Sequence, residues 1–153
     1  MPLSRHHIDT NDVPRVFDPD QLGSVLESEL RDVTFAYLHG SAAQNGVVAP
    51  HSDLDIALFL EPAILDVPSP GPTAELYETV ERLTGRLVPG VRCDIGILNN
   101  AEPVYRFEVL KGRILFCRDQ ERWLHFYSVT CREYESQMYH YEKQHRYRVE
   151  AIV

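Results

Sequence analysis

Two aspartates two residues apart, Asp53 and Asp55, open an apolar run that ends at Leu60. Alternate residues of a strand share a face, so both carboxylates leave the same side, Cα atoms roughly 7 Å apart, and can converge on one cation. Hard oxygen donors of this kind suit Mg2+, which keeps positions open for phosphate oxygens and water. Eleven residues, Ala42 to Ser52, separate the pair from Gly40-Ser41. A glycine lets the backbone approach a phosphate closely, and a serine at a helix N-terminus offers both hydroxyl and amide. A third acid, Asp94, stands between Cys93 and Ile95. Alternation puts it on the face of Arg92 and Gly96, where it either pairs with Arg92 or joins Asp53 and Asp55 across a sheet. Taken alone, Asp53 and Asp55 have a plainer reading as a solvated strand-edge pair.

The flanking patterns predict the elements that position these residues. Asp18, Pro19 and Asp20 read as a helix start ahead of Leu22, Val25, Leu26 and Leu30. Val33 to His39 reads as a buried strand ended by Gly40, and Asp53 to Leu60 as a second strand with Leu54, Ile56, Leu58 and Leu60 on the face opposite the aspartates. The prolines between Glu61 and Pro72 predict an extended loop. Thr73 is expected to cap a helix carrying Leu76, Val80 and Leu83. A third strand over Val91 to Leu98, a short helix capped by Asn100 and ending at Gly112, and a fourth strand over Arg113 to Cys117 follow. From Asp119 on, Trp123, Tyr127, Thr130, Tyr134, Met138, Tyr141 and His145 recur at helical steps, predicting a helix of roughly 25 to 30 residues, too long for a small domain to cover. Its tyrosine stripe reads either as core packing or as an interface, and its distal part is expected to help bind a partner.

The chain of 153 residues is long enough for one compact domain, and its composition is that of a globular protein. Its net charge of −8 disfavours direct nucleic-acid binding, which needs cations against phosphates. The charge is uneven: residues 1 to 80 carry three basic and thirteen acidic side chains, and 81 to 153 carry twelve and ten. Acid concentrated among apolar strands suggests a cation site, and equally a solvated face. Three distant cysteines, Cys93, Cys117 and Cys131, suit reduced thiols in the cytoplasm rather than a disulfide framework or zinc knuckle. The polar start, Met1 to Thr10, and the lack of a long apolar run predict neither secretion nor a membrane span. His39 and His51 read as histidines with local hydrogen bonds and receive no role.

Gly-Ser before a helix, Ser-Asp-x-Asp opening the next strand and a later-strand Asp together resemble the nucleotidyltransferase superfamily of DNA polymerase beta. LHGSAAQNGVVAPHSDLDIALFL, VRCDIGILNN and YRFEVLKGRILFCRD are similar to the minimal members, the MntA-type (MNT) antitoxins that pair with HEPN-family toxins. The likeness spans residues 33 to 119 and is most specific in its first block. It implies an α/β fold, with a mixed β-sheet flanked by helices in a single domain over 1 to 153: a core of about 18–118 and a C-terminal helical segment of about 119–150. It also implies that Gly40, Ser41 and Ser52 bind the nucleotide, that Asp53, Asp55 and Asp94 hold Mg2+, and that Asp94 helps deprotonate the acceptor hydroxyl. The implied function is cytoplasmic transfer of AMP from ATP to a tyrosine of a HEPN-type toxin, neutralising it. The alternatives are nucleotidylation of a small hydroxyl compound such as an aminoglycoside, and neutralisation of a toxin by contact alone. Two departures stand out. The family usually has ten residues, not eleven, between Gly-Ser and the first Asp, and it usually places Arg or Lys soon after Gly-Ser, where Ala43-Gln44-Asn45-Gly46 has neither. Arg92, Lys111 and Arg113 are left to compensate, and spacing does not choose among them.

Overall fold

The computed structural model describes residues 13–65 and 72–152. In chain order the elements are β1 (Arg15–Val16), α1 (Pro19–Glu29), β2 (Val33–His39), α2 (Ala42–Asn45), β3 (Val47–Val48), β4 (Leu54–Leu60), α3 (Pro62–Leu65), α4 (Pro72–Leu87), β5 (Cys93–Ile97), α5 (Pro103–Leu110), β6 (Arg113–Cys117) and α6 (Gln120–Ile152). Four strands form a mixed sheet in the order β5-β4-β2-β6, with β4 and β5 parallel and the other pairs antiparallel. β1 and β3 make a separate antiparallel pair. The expected α/β fold with a C-terminal helix is the one observed.

Both faces of the sheet are covered, which is why β2 and β4 read as nearly unbroken apolar runs. On one face Leu54, Ile56, Leu58 and Leu60 of β4 and Ala36 and Leu38 of β2 pack in one cluster with Leu22 and Leu26 of α1 and Val80 and Leu83 of α4. Each fully buried leucine contributes about 1.5–3 kcal/mol. On the other face Phe35, Tyr37 and Ala57 meet Val109 of α5 and Phe126 of α6. Asp55 belongs to this second face, because it is two residues from Ala57 on β4.

Local signals account for most helix ends. Asp18 caps α1, its side chain accepting from the Asp20 amide at 3.0 Å. Three expectations need correction. Helix α4 begins at Pro72, so Thr73 lies inside it rather than capping it. The loop from Glu61 contains a helical turn, α3, because Pro62 suits a first helical position. Helix α5 starts at Pro103 with Glu102 at its cap, so Asn100 sits in the preceding turn. Its neighbour Asn99 extends the β4 ladder instead, accepting from Leu60 N at 2.8 Å and donating to Leu60 O at 2.9 Å. Met1 to Thr10, Pro68 and Pro70 lie outside the described residues.

Helix α6 is continuous over 33 residues, about 50 Å at 1.5 Å per residue. Its first half is held to the body. Trp123 donates its indole N–H to the Tyr37 hydroxyl at 2.6 Å, Phe126 and Thr130 are buried, and Tyr134 stacks on Phe107 with ring centroids 3.8 Å apart. From Tyr139 to Ala151 every residue is exposed, Tyr141 at 67%. The core reading therefore holds for Trp123, Thr130 and Tyr134, and fails for Tyr127, at 45% exposure, and for the distal stripe. No helix among the described residues is long and apolar enough to cross a membrane.

Candidate active site

The candidate residues gather at one end of the sheet, where β2 finishes and β4 and β5 begin. Three of them lie in a row across neighbouring strands: His39 pairs with Asp55 between β2 and β4, and Asp55 pairs with Asp94 between β4 and β5. Paired backbones stand about 4.8 Å apart, so the two carboxylates face one another across a single strand spacing. Asp94 therefore joins Asp55 rather than Arg92: both Arg92 and Asp94 are exposed, and among the described residues they form no ion pair. Asp53 precedes the strand and is exposed, while Asp55 is half-buried.

The Gly40 turn is tied to this row. Gly40 has φ +73°, and a Cβ there would stand 2.5 Å from Asp55 Oδ2. Glycine is needed for the left-handed turn and for the approach of the carboxylate. Ser41 is exposed and already helical at the start of the four-residue α2, and its side chain makes no capping hydrogen bond. Ser52 is half-buried in the turn before β4, with its amide on Ala49 O at 3.1 Å. Of the predicted set, Gly40, Asp55 and Asp94 are brought into direct proximity, with Ser41, Ser52 and Asp53 on the flanking turns.

Two further residues were missed. His39, read as a local histidine, has its ring edge-on to Tyr105, with the Tyr105 hydroxyl 3.4 Å from His39 Nε2. Tyr105 reaches there from α5 because Gly96 has no side chain; a Cβ at Gly96 would collide with the phenol hydroxyl. The only sequence signal was parity, since His39 and Gly96 fall on the faces of Asp55 and Asp94, and this does not reveal which helix residue crosses above them.

Electrostatics follow the geometry. Burial pushes the Asp55 carboxyl above its ordinary range, as do the charges of Asp94 and Asp53, while His39 pulls it down. Burial also lowers His39 despite the opposing pull of Asp55 and Asp94. Tyr105 is raised by burial, with Asp94 and Asp55 adding to it. Like charges held in register against their own repulsion are a donor set that fits a hard divalent cation. Among the described residues no three His, Cys, Asp or Glu side chains already close around an ion-sized point. Register aligns the backbones, and side-chain rotation has to finish the site.

A mixed four-stranded sheet with a glycine turn pinned to an acidic row at its strand ends defines the nucleotidyltransferase class of α/β proteins. The polymerase beta nucleotidyltransferase family matches residues 20–121, about two thirds of the chain, and the chain belongs to that family. No curated protein matches the sequence. Among solved structures, the toxin–antitoxin MntA–HepT is 16% identical with a TM-score of 0.52, covering 88% of this chain and 95% of that one. A toxin–antitoxin structure with AMP-PNP is 17% identical with a TM-score of 0.56, covering 88% and 98%. A tri-AMPylated Shewanella oneidensis HEPN toxin in complex with MNT antitoxin gives 17%, 0.52, 88% and 94%. At such identities the likeness is one of fold.

Proposed function

We propose that the protein is an antitoxin that transfers AMP from ATP to a tyrosine hydroxyl of a HEPN-family toxin. The observation that carries this reading is the register of Asp55 with Asp94, beside a Gly40 turn that touches Asp55. In this reading the acceptor oxygen attacks the α-phosphorus of ATP, the bond from that phosphorus to the bridging oxygen breaks, and pyrophosphate leaves. Asp94, exposed at the strand end, takes the acceptor proton. Gly40 and Ser41 hold the outer phosphates, with Ser52 on the turn opposite, and Asp53, Asp55 and Asp94 hold Mg2+. When bound, the ion supplies positive charge to phosphate oxygens during the transfer. His39 flanks Asp55 from β2, and Tyr105 packs against its ring.

The described fold supports a macromolecular acceptor over a small one, because α6 projects an exposed tyrosine- and arginine-bearing segment of the size a protein partner covers. The similar solved structures, which include an AMPylated HEPN toxin with its MNT antitoxin, support the choice of partner.

The test is intact-protein mass spectrometry of a HEPN-family protein, after incubation with this chain, Mg2+ and each nucleoside triphosphate in turn. A gain of one or more AMP masses with ATP, lost with Asp53→Asn, is expected. An unmodified partner under every nucleotide would overturn the reading.

A further inference from the structure

Tyr37 accepts from Trp123 beneath α6, Tyr134 stacks on Phe107, and Tyr139, Tyr141 and Tyr147 lie exposed on the distal part of α6. Tyr105 differs from these. Its hydroxyl stands 3.4 Å from His39 Nε2 and lies so close over Gly96 that a Cβ there would collide with it. His39 is on β2 and Gly96 on β5, and the strand between them is β4. On this face the β4 residue opposite His39 is Asp55, and the one opposite Gly96 is Ala57. The phenol oxygen therefore stands over β4 at the inner end of the acidic row, beside the Asp55 carboxyl.

Packing alone does not call for a hydroxyl at this point. A phenyl ring would make the same edge-on contact with the His39 imidazole. The one hydrogen-bond contact of the hydroxyl among the described residues is at the long end of the range. Asp94 and Asp55 both bear on the phenol electrostatically, as does Tyr77 of α4. Tyr105 is half-buried rather than enclosed. A nucleophilic oxygen of the class that the proposed transfer uses is thus held against the carboxylates that would carry the transfer out.

We propose that Tyr105 is an internal acceptor: with no partner in the site, the chain transfers AMP from ATP to its own Tyr105 hydroxyl. The Tyr105 oxygen forms a bond to the α-phosphorus, the bond from that phosphorus to the bridging oxygen breaks, and pyrophosphate leaves with that electron pair. The phenolic proton passes to His39 Nε2. An oxygen already tethered beside the reacting phosphorus needs no encounter, which is the advantage of an intramolecular reaction over a bimolecular one. Gly96, His39 and Tyr105 then serve one purpose: the glycine makes room for the acceptor oxygen, and the imidazole stands beside it to take its proton. The proposal rests on the nucleotidyltransferase reading and adds to it an acceptor within the chain.

Intact-protein and peptide mass spectrometry of the full chain, incubated alone with Mg2+ and ATP, tests it. A single AMP on the peptide that holds Tyr105 is expected, absent with Asp53→Asn and with Tyr105→Phe and retained with Tyr77→Phe. A second arm mixes the wild-type chain with an isotope-labelled Asp53→Asn chain. Transfer within one chain leaves the labelled chain unmodified, and AMP on its Tyr105 would overturn the internal step. An unmodified wild-type chain, or AMP on another residue such as Tyr77, would overturn the proposal as well. If a HEPN-family protein gains AMP from that same preparation, the function stands and the internal acceptor alone falls. If neither protein gains AMP, both fall.

Discussion

Asp55 Oδ2 occupies the space into which any side chain on Gly40 would project, 2.5 Å from the position of a Cβ. The Gly40 turn and the carboxylate at its foot are therefore one steric unit. Gly40→Ala should displace Asp55 and reduce AMP transfer by about a hundredfold, the usual cost of a misplacement near 1 Å. It should also cost about 1–2 kcal/mol of stability for a left-handed alanine. Steady-state transfer assays and urea unfolding on one preparation read both effects, and wild-type activity would separate the turn from the site.

Asp53→Asn, Asp55→Asn and Asp94→Asn should each abolish transfer and leave the fold intact. Burial is the main reason the Asp55 carboxyl is raised, and the smaller repulsion that Asp94 and Asp53 add is relieved when either charge is removed. With chelator present, melting temperatures should hold or rise. For Asp94 this separates two readings: a buried partner of Arg92 would lose about 3–5 kcal/mol, whereas an exposed acid in register with Asp55 loses none. Marked destabilisation of the Asp94 variant with residual transfer would return it to a structural role.

Tyr37 lies beneath α6 and accepts from Trp123 at 2.6 Å. Burial raises its pKa above 10.0, the Trp123 hydrogen bond partly offsetting the rise. The folded state binds the phenolic proton more tightly than the unfolded chain, so the stability this supplies is complete below pH 10 and is lost as pH climbs past it. Denaturant unfolding from pH 8 to 11 should show that decline, and Tyr37→Phe should make it shallower, leaving the share of the likewise raised Tyr105. The same variant should cost about 1 kcal/mol at pH 7 by leaving the indole N–H unmatched.

Gly96→Ala places a methyl group against the Tyr105 hydroxyl. Overpacking of this kind costs about 1–3 kcal/mol. Gly96→Ala combined with Tyr105→Phe should recover part of the loss, since the hydroxyl is removed while the ring carbon that bore it stays 2.9 Å from the new Cβ. A thermal-unfolding cycle over the four proteins measures the coupling, and additive effects would mean that the two residues do not meet.

Tyr141, at 67% exposure, lies on the distal part of α6 with Arg148. Tyr141→Ala should shift stability by no more than about 0.5 kcal/mol, as for an ordinary surface site. As part of the proposed partner surface, Tyr141→Ala with Arg148→Ala should weaken the toxin complex severalfold in calorimetry, each anchor contributing over about 1 kcal/mol. Wild-type affinity in the double variant would move the partner surface elsewhere.

The apolar alternation of Leu54 to Leu60 by itself determined β4 and put Asp55 on the side opposite its leucines, because side-chain period is a local property of an extended chain; Asp53, expected on the same strand, falls in the turn before it. The Asp18-Pro19 start of α1 and the helical stripe of α6 were legible for the same reason. The two-residue strands β1 and β3 are too short to carry a period, and only the pairing of Arg15 with Val48 places Arg15 beside the cleft lined by Ser52 and Asp53. Asp94 could pair with Arg92 or reach Asp55 until the parallel register of β4 with β5 decided it. His39 and Tyr105 meet 66 residues apart over a glycine on a third element. Contacts of that range depend on which strands become neighbours, and that order is set by the packing of the whole sheet between its two helical layers, not by any window of the sequence.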